Sequence, residues 1–460
     1  MLSQAQIDHL TAIVGQGSVL SSKEDLLAYS YDGTTLWAHL PDCVVLPQNV
    51  EQISKILSFA SANLIAVTPR GGGTNVSGGS IPVKGGIVLC TTRMNRILKI
   101  DKENLVAEVE AGVVLQDLNQ ALAKDQLFYP PDPQSSAGCT LGGTIAENAG
   151  GPYGAKYGVT KHYLLGLKVV LASGETANLG GRTIKNRMGY ELSTLFAGSE
   201  GTLGIIAEIT LKLIPAPKSQ RTVLAIFAKL ETAGQAVSNI VAAGLVPAKV
   251  EIMDNWFLRR IEGQSHLGLP VEADAMLLIQ SDGDPRAVEN EVEQIIRACQ
   301  RTGAREARSA VDEAEAFRMW QARRGCYGAV TGSSPTVLTE DVTVPRDKIA
   351  PLIRRCQEIS RKYEVVIPIT GHAGDGNIHP AFLTDANDKQ HFSRTMQAID
   401  EMINAALELG GVISGEHGIG LEKQQYFSRF ADPVALKIMK GIKGVLDPQN
   451  ILNPGKYWEG

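Results

Sequence analysis

Pro69-Arg70-Gly71-Gly72-Gly73-Thr74-Asn75-Val76-Ser77-Gly78-Gly79 follows directly on Ile65-Ala66-Val67-Thr68, an apolar segment that reads as a buried strand. Five glycines in nine positions cost more chain entropy than packing alone returns. Consecutive glycines leave backbone N–H groups bare and permit the alternating conformations of an anion-binding nest. Arg70, Thr74, Asn75 and Ser77 add polar donors at its rim. The stretch therefore reads as a cradle for phosphate groups; the competing reading is a flexible glycine-rich loop. Neither GxGxxG nor GxxxxGK[ST] occurs here or elsewhere in the chain, which disfavours a nicotinamide dinucleotide on a Rossmann domain.

Upstream, the N-terminal stretch reads as a short helix capped by Ser3, with no basic region before an apolar block and so no secretion signal. A strand, Val44-Val45-Leu46-Pro47, precedes a helix from Asn49 to Ala62 whose Ile53, Ile56, Leu57 and Ala60 share one face. Downstream, Gly85 to Val114 is strand-rich with a polar turn at Asp101–Asn104, and Leu115 to Leu127 reads as an amphipathic helix. Two further clusters of small residues follow, Pro130–Pro133 with Cys139–Gly151, and Gly198–Ile206 leading into a strand from Ala207 to Ile214. Small residues over such lengths let the backbone approach a large planar or extended ligand closely. Pro215-Ala216-Pro217-Lys218 marks a domain boundary. Residues 221–310 then read as a ferredoxin-like split βαβ, with strands Arg221–Ala228 and Ala275–Gln280 and helices Glu231–Gly244 and Pro285–Thr302. No chemistry is visible there, and its residues read as scaffold and cavity wall.

The second half carries the reactive side chains. In Gly371-His372-Ala373-Gly374-Asp375-Gly376-Asn377-Ile378-His379, Asp-Gly between the apolar segments Val365–Ile369 and Ile378–Phe382 signals a hairpin. Closed symmetrically about Asp375–Gly376, it sets His372 opposite His379 with Cβ atoms roughly 5 Å apart. Two imidazoles at that spacing can converge on one metal at about 2.0–2.1 Å per bond; otherwise the segment is a polar turn with solvated histidines. Arg323 and Arg324 lie on a helix starting near Val311, where a guanidinium fork could hold a carboxylate or face solvent. In Gly411–Gly420, adjacent Glu416 and His417 would point to opposite sides of an extended segment and so take different jobs, unless the segment is a surface loop.

The 460 residues supply two or three domains, with 44% hydrophobic and 20% charged residues as in ordinary soluble proteins. A net charge of −5 gives no reason to expect a nucleic-acid partner, and no apolar run reaches transmembrane length. Six cysteines without C-x-x-C spacing argue against a zinc knuckle, an iron–sulfur cluster or a disulfide framework, and fit a reducing cytoplasm.

PRGGGTNVSGG, YPPDP, LGGTIAENAGG, KVVLASGE and GSEGTLGII, in this order, resemble the FAD-binding half of the vanillyl-alcohol oxidase/p-cresol methylhydroxylase superfamily. GHAGDGNIHP, SGEHGIG and LDPQNILNPGK resemble the C-terminal half of its D-lactate dehydrogenase/glycolate oxidase branch, so the resemblance spans Tyr31 to Lys456. It implies an α+β chain with a p-cresol methylhydroxylase-type FAD-binding fold and a ferredoxin-like substrate or cap domain. The implied divisions are an N-terminal helical segment 1–36, an FAD-binding domain 37–217, a cap domain 218–410, and a C-terminal segment 411–460. That last segment is helical, completes the site and returns to the FAD domain.

The resemblance places the FAD pyrophosphate on Arg70, Gly71, Gly72, Gly73, Thr74 and Asn75, with Gly78 and Gly79. It assigns Pro131, Asp132, Ser135, Thr140, Gly142, Gly143, Ala146, Asn148, Gly150, Gly151 and Tyr157 to the adenine, ribose and isoalloxazine. Glu200, Gly201, Gly204, Ile205, Ile206 and Asn453 belong to the same set, and Lys456 returns to the flavin domain with Asn453. Relatives with covalent flavin carry histidine at the position of Thr74, so the FAD is expected to be non-covalent.

Arg323 matches the arginine holding the substrate carboxylate. His372, His379 and Glu416 match the ligands of one divalent metal (zinc, iron or manganese), and His417 matches the residue facing substrate, the expected base. Uncharged Ala381 and Thr339 favour D-lactate or glycolate over a 2-hydroxyglutarate-type dicarboxylate. Without iron–sulfur ligands, electrons are expected to leave to a quinone, a cytochrome, an Fe–S subunit or an electron-transferring flavoprotein. A lactate dehydrogenase subunit of such a flavoprotein complex is the related alternative, and a homodimer is compatible. Attachment to the inner face of the membrane is the alternative to a free cytoplasmic protein. A flavin-free metallohydrolase would leave the glycine-rich half unexplained, and a pure electron relay would need none of His372, His379, Glu416 and Arg323.

Overall fold

A computed structural model describes residues 1–34 and 36–458. It divides into two compact units: Met1–Ala149 with Val159–Ala216 and Glu416–Gly460, and Gly150–Gly158 with Pro217–Gly415. All six cysteines are buried and free. Among the described residues no helix is long and apolar enough to cross a membrane.

In the first unit, Cys43–Val45 and Val67–Arg70 both pair in parallel with Ile87–Cys90, which lies between them. Their residues are nearly all buried, as expected of parallel strands covered on both faces. The helix Val50–Ala62 makes the crossover and buries Ile53, Ile56, Leu57 and Ala60. Ser3 caps the helix Gln4–Val14 through a complete capping box with Gln6. Val67–Arg70 delivers the chain into the glycine stretch at its carboxyl end, where open α/β sheets receive ligands. The C-terminal segment joins the same strand: Val67 N–H donates to Ile451 O at 2.7 Å, and Asn453 N–H donates to Val67 O at 2.8 Å. A second, antiparallel sheet runs in the order Ile97–Asp101, Val106–Glu110, Ile205–Lys212, Leu164–Val170, Thr176–Gly180. One core, from Leu10 through Ile53, Val67 and Leu89 to Val170, Ile205 and Leu452, packs these elements together.

In the second unit, Ser219–Phe227, Leu230–Ala242, Lys249–Asp254, Ala275–Gly283, Pro285–Thr302 and Glu306–Ser309 form a βαββαβ unit. Its strands lie in the order Glu306–Ser309, Ser219–Phe227, Ala275–Gly283, Lys249–Asp254, the ferredoxin-like arrangement. The strands Lys249–Asp254 and Glu306–Ser309 and the helix Asn255–Ser265 are additions to the elements anticipated from sequence.

The hairpin extends this sheet through Ile369–His372, whose His372 pairs directly with Glu251. Its register differs from the symmetric closure: His372 pairs with Asn377, and His379 pairs with Thr370. The loop is the four residues Ala373–Gly376 rather than Asp-Gly alone. The cause is tertiary. Gly374 N–H donates to Val250 O at 3.1 Å, and Gly376 O accepts from Val344 N–H at 3.1 Å. His372 and His379 are therefore diagonal neighbours on one face of the sheet, not directly opposed.

Candidate active site

The three small-residue clusters converge within the first unit, the second of them as far as Ala149. A Cβ at Gly72 would fall 2.0 Å from Gly138 O, and one at Gly71 would fall 2.2 Å from the Thr140 hydroxyl, so glycine lets the first cluster lie against the start of the second. Gly198 N–H donates to Ile145 O at 3.0 Å, and Glu200 N–H to Ala146 O at 2.8 Å, tying the third cluster to the second. The Asn453 side-chain amide then donates to Gly79 O at 2.8 Å and Glu200 O at 2.7 Å, closing the set. Small residues brought backbone to backbone around a glycine-rich turn fit an extended diphosphate ligand. Arg70 is buried: its guanidinium lies over the Tyr29 ring and donates to Tyr31 O at 2.8 Å, so it holds the 29–33 segment beside the cradle. Of the residues assigned to the cofactor by resemblance, Gly150, Gly151 and Tyr157 belong to the second unit, where the Tyr157 hydroxyl donates to Asp282 at 2.9 Å.

Glu200 does more in this unit than border a cluster. Its buried carboxylate accepts Ile419 N–H at 2.7 Å and Gly420 N–H at 2.8 Å, pinning the chain just past His417. The backbone bends through Gly415–His417 instead of running extended, so strand alternation does not govern Glu416 and His417; the glycines flanking them remove the bias toward a strand. Glu147 and Glu200 both abut Gly418, where a Cβ would fall 2.6 and 2.8 Å from their oxygens. Burial, reinforced by Glu200 and Asp32, holds the Glu147 carboxyl well above the ordinary range. Burial likewise pushes Glu200 up to about 7, against the opposing pull of its two backbone donors and Lys456.

A carboxyl with a raised folded-state pKa adds stability below its unfolded value, and that stability is lost as pH rises through the folded value. The melting temperature is therefore expected to fall as pH rises from about 4.5 to 7, with Glu200 contributing to the loss. Glu200→Gln should flatten that slope; an unchanged slope would remove Glu200 as its source.

The second unit gathers the other reactive groups around two buried carboxylates. Glu251, fully buried in Lys249–Asp254, accepts from His372 Nδ1 at 2.8 and 3.0 Å and forms an ion pair with Arg323 Nε at 2.6 Å. Burial alone would raise the Glu251 carboxyl, yet the Arg323 guanidinium and His372 outweigh it and hold it below the ordinary glutamate value. An ionised carboxylate only accepts, so the His372 nitrogen facing it, Nδ1, is the one that donates, and Nε2 is the nitrogen a metal would engage. Asp341 stands behind the second histidine, with Oδ1 3.7 Å from His379 Nδ1, while Oδ2 accepts the Ser414 hydroxyl and Gly415 N–H at 2.8 and 2.9 Å.

The two imidazoles lie edge to face at 5.2 Å between centroids, with a ring nitrogen of one within 4.8 Å of a ring nitrogen of the other. Two histidines, one hydrogen-bonded to a carboxylate and the other with a carboxylate 3.7 Å away, suit a divalent transition ion. Burial separates the adjacent arginines: Arg323 is 6% exposed, while Arg324 lies at the surface. Glu416 and His417 belong to the first unit. Sequence reasoning missed Glu251 and Asp341. The one signal for Glu251 was a lone carboxylate in an apolar strand, Val250-Glu251-Ile252-Met253, which a buried site must pair.

Residues 216–457 match the family of FAD-linked oxidases, C-terminal domain, and residues 41–180 match an FAD-binding domain. The chain is 43% identical over 458 residues to the glycolate oxidase subunit GlcD of Bacillus subtilis, covering 100% of this chain and 97% of that protein. It is 38% identical over 418 residues to a D-lactate dehydrogenase of Archaeoglobus fulgidus, covering 90% of each. The fold is similar to that of p-cresol methylhydroxylase crystallised with substrate, at a TM-score of 0.83 and 18% identity over 99% of this chain and 97% of that one.

Proposed function

The chain belongs to the FAD-linked oxidases, and from that premise we propose that it oxidises a small D-2-hydroxy acid, D-lactate or glycolate, to the 2-oxo acid. The reading is carried by one observation, the buried cluster of Arg323, His372 and His379 in a chain whose other unit is an FAD-binding domain. An electron relay has no use for such a cluster.

The glycine stretch with its partner clusters would hold a non-covalent FAD, and His372, His379 and Glu416 one zinc, iron or manganese ion. When bound, the FAD supplies a hydride acceptor at N5 and the ion a Lewis acid that acidifies the substrate hydroxyl. Arg323 holds the substrate carboxylate with its terminal nitrogens, its Nε being engaged by Glu251. His417 takes the hydroxyl proton as the Cα–H bond gives up its hydride. Thr339 and Ala381 are Cα partners across paired strands, and neither offers a charge to a second carboxylate, which supports a monocarboxylate over a 2-hydroxyglutarate-type substrate. The relative named as a subunit supports a partner that accepts the electrons, such as an Fe–S subunit, a cytochrome, an electron-transferring flavoprotein or a quinone.

The purified protein is expected to show flavin absorbance that bleaches within seconds under anaerobic D-lactate or glycolate and recovers slowly in air. A colourless protein, or flavin bands that no 2-hydroxy acid bleaches, would overturn the reading.

A further inference from the structure

Glu251 sits where three positive or chargeable groups meet. His372 hydrogen-bonds to it, Arg323 forms an ion pair with it through Nε at 2.6 Å, and the Lys249 charge acts on it from two residues away on the same strand. Lys249 is itself held over the Tyr153 ring at 3.9 Å and the Trp320 ring at 5.0 Å. The cross-strand register sets Glu251 directly opposite His372, and the helix Glu313–Arg324 brings Arg323 to the same carboxylate. One of its oxygens thus faces the His372 imidazole, and the other also meets the guanidinium. A histidine whose Nδ1–H is taken by a carboxylate is fixed in ring angle and tautomer, and its Nε2 becomes a better metal ligand. An arginine anchored at Nε keeps its two terminal nitrogens pointed as a fork.

We propose that Glu251 is the positioning residue of this site, one buried carboxylate that aims both the metal-binding nitrogen of His372 and the substrate-binding fork of Arg323. The inference rests on the function proposed above, yet adds a residue that touches neither metal nor substrate. Its consequence is that metal affinity and substrate affinity fall together when this one group is changed. Glutamine at 251 keeps the shape and one acceptor but removes the charge that both partners answer to.

The test uses the FAD-loaded full chain. Zinc affinity is read by competition with a chromophoric chelator, and KM and kcat with D-lactate are read at saturating zinc. Glu251→Gln is expected to retain its flavin spectrum, bind zinc about 10–100-fold more weakly, and recover most of kcat at saturating zinc while KM stays raised at least tenfold. A merely structural defect would lower flavin occupancy and kcat without that split. Glu251→Asp, which keeps the charge on a shorter stem, is expected to fall between the two and serves in place of the glutamine variant if that one does not fold. Wild-type zinc affinity and KM in a folded Glu251 variant would overturn the assignment. If the wild-type protein bleaches with no 2-hydroxy acid, the proposed function fails, and the zinc titration still decides the role of Glu251 toward His372.

Discussion

Replacing His417 by asparagine is expected to leave the FAD bound and the protein yellow while slowing flavin reduction by substrate about 10²–10⁴-fold, the contribution of a positioned general base. Asparagine preserves the size and hydrogen-bonding character of imidazole but cannot take a proton near neutral pH. The backbone around it has independent support. Glu200 accepts Ile419 N–H and Gly420 N–H whatever stands at 417, so the variant loop keeps its course and the loss is chemical. Anaerobic rapid mixing with D-lactate reads the reduction rate directly. The acid limb of its pH profile, set by protonation of the base, should vanish in the variant. Reduction at the wild-type rate would remove His417 from proton transfer.

The FAD-binding half was legible in the sequence because its signal is local. A glycine at position 72 is demanded by a carbonyl 2.0 Å from where a Cβ would stand, and such demands leave runs of glycine that any reader meets. Helices with one apolar face, such as Val50–Ala62, were legible for the same reason. What sequence could not give was register. Asp-Gly favours a two-residue hairpin loop, but the Val250 and Val344 backbones, each distant in sequence, draw the turn into four residues and move His379 from opposite His372 to the diagonal. Glu251 was hidden by the same kind of distance. Its meaning lies in a cross-strand pairing with His372, 121 residues away, and in a helix residue, Arg323, that nothing local connects to it. Glu200 reads as a member of a cofactor loop, and its side chain also anchors a segment more than two hundred residues downstream, which nothing local announces.

Arg323→Met is expected to carry two separable costs. The first is substrate binding: loss of a charge-assisted carboxylate fork should lower kcat/KM about 10²–10³-fold, that is roughly 2.7–4 kcal/mol. The second is stability. Glu251 is fully buried, and removing one partner of a buried ion pair leaves an uncompensated charge that costs about 3–5 kcal/mol. His372 and Lys249 remain beside the carboxylate and keep that figure toward its lower end. The two costs part company in the double variant. Adding Glu251→Gln to Arg323→Met removes the stranded charge, so melting temperature should recover while kcat/KM does not, a coupling that a double-mutant cycle reads as non-additivity. Arg324→Met is the control: an exposed arginine one position along should change stability by no more than about 0.5 kcal/mol and leave turnover intact. Thermal melts of Arg323→Met, Glu251→Gln, their double variant and Arg324→Met, with steady-state kinetics on D-lactate, decide the matter. Activity lost in Arg324→Met and kept in Arg323→Met would move the carboxylate clamp to the neighbouring residue. Failure of the double variant to regain stability would mean that Glu251 and Arg323 are not the pair their 2.6 Å separation describes.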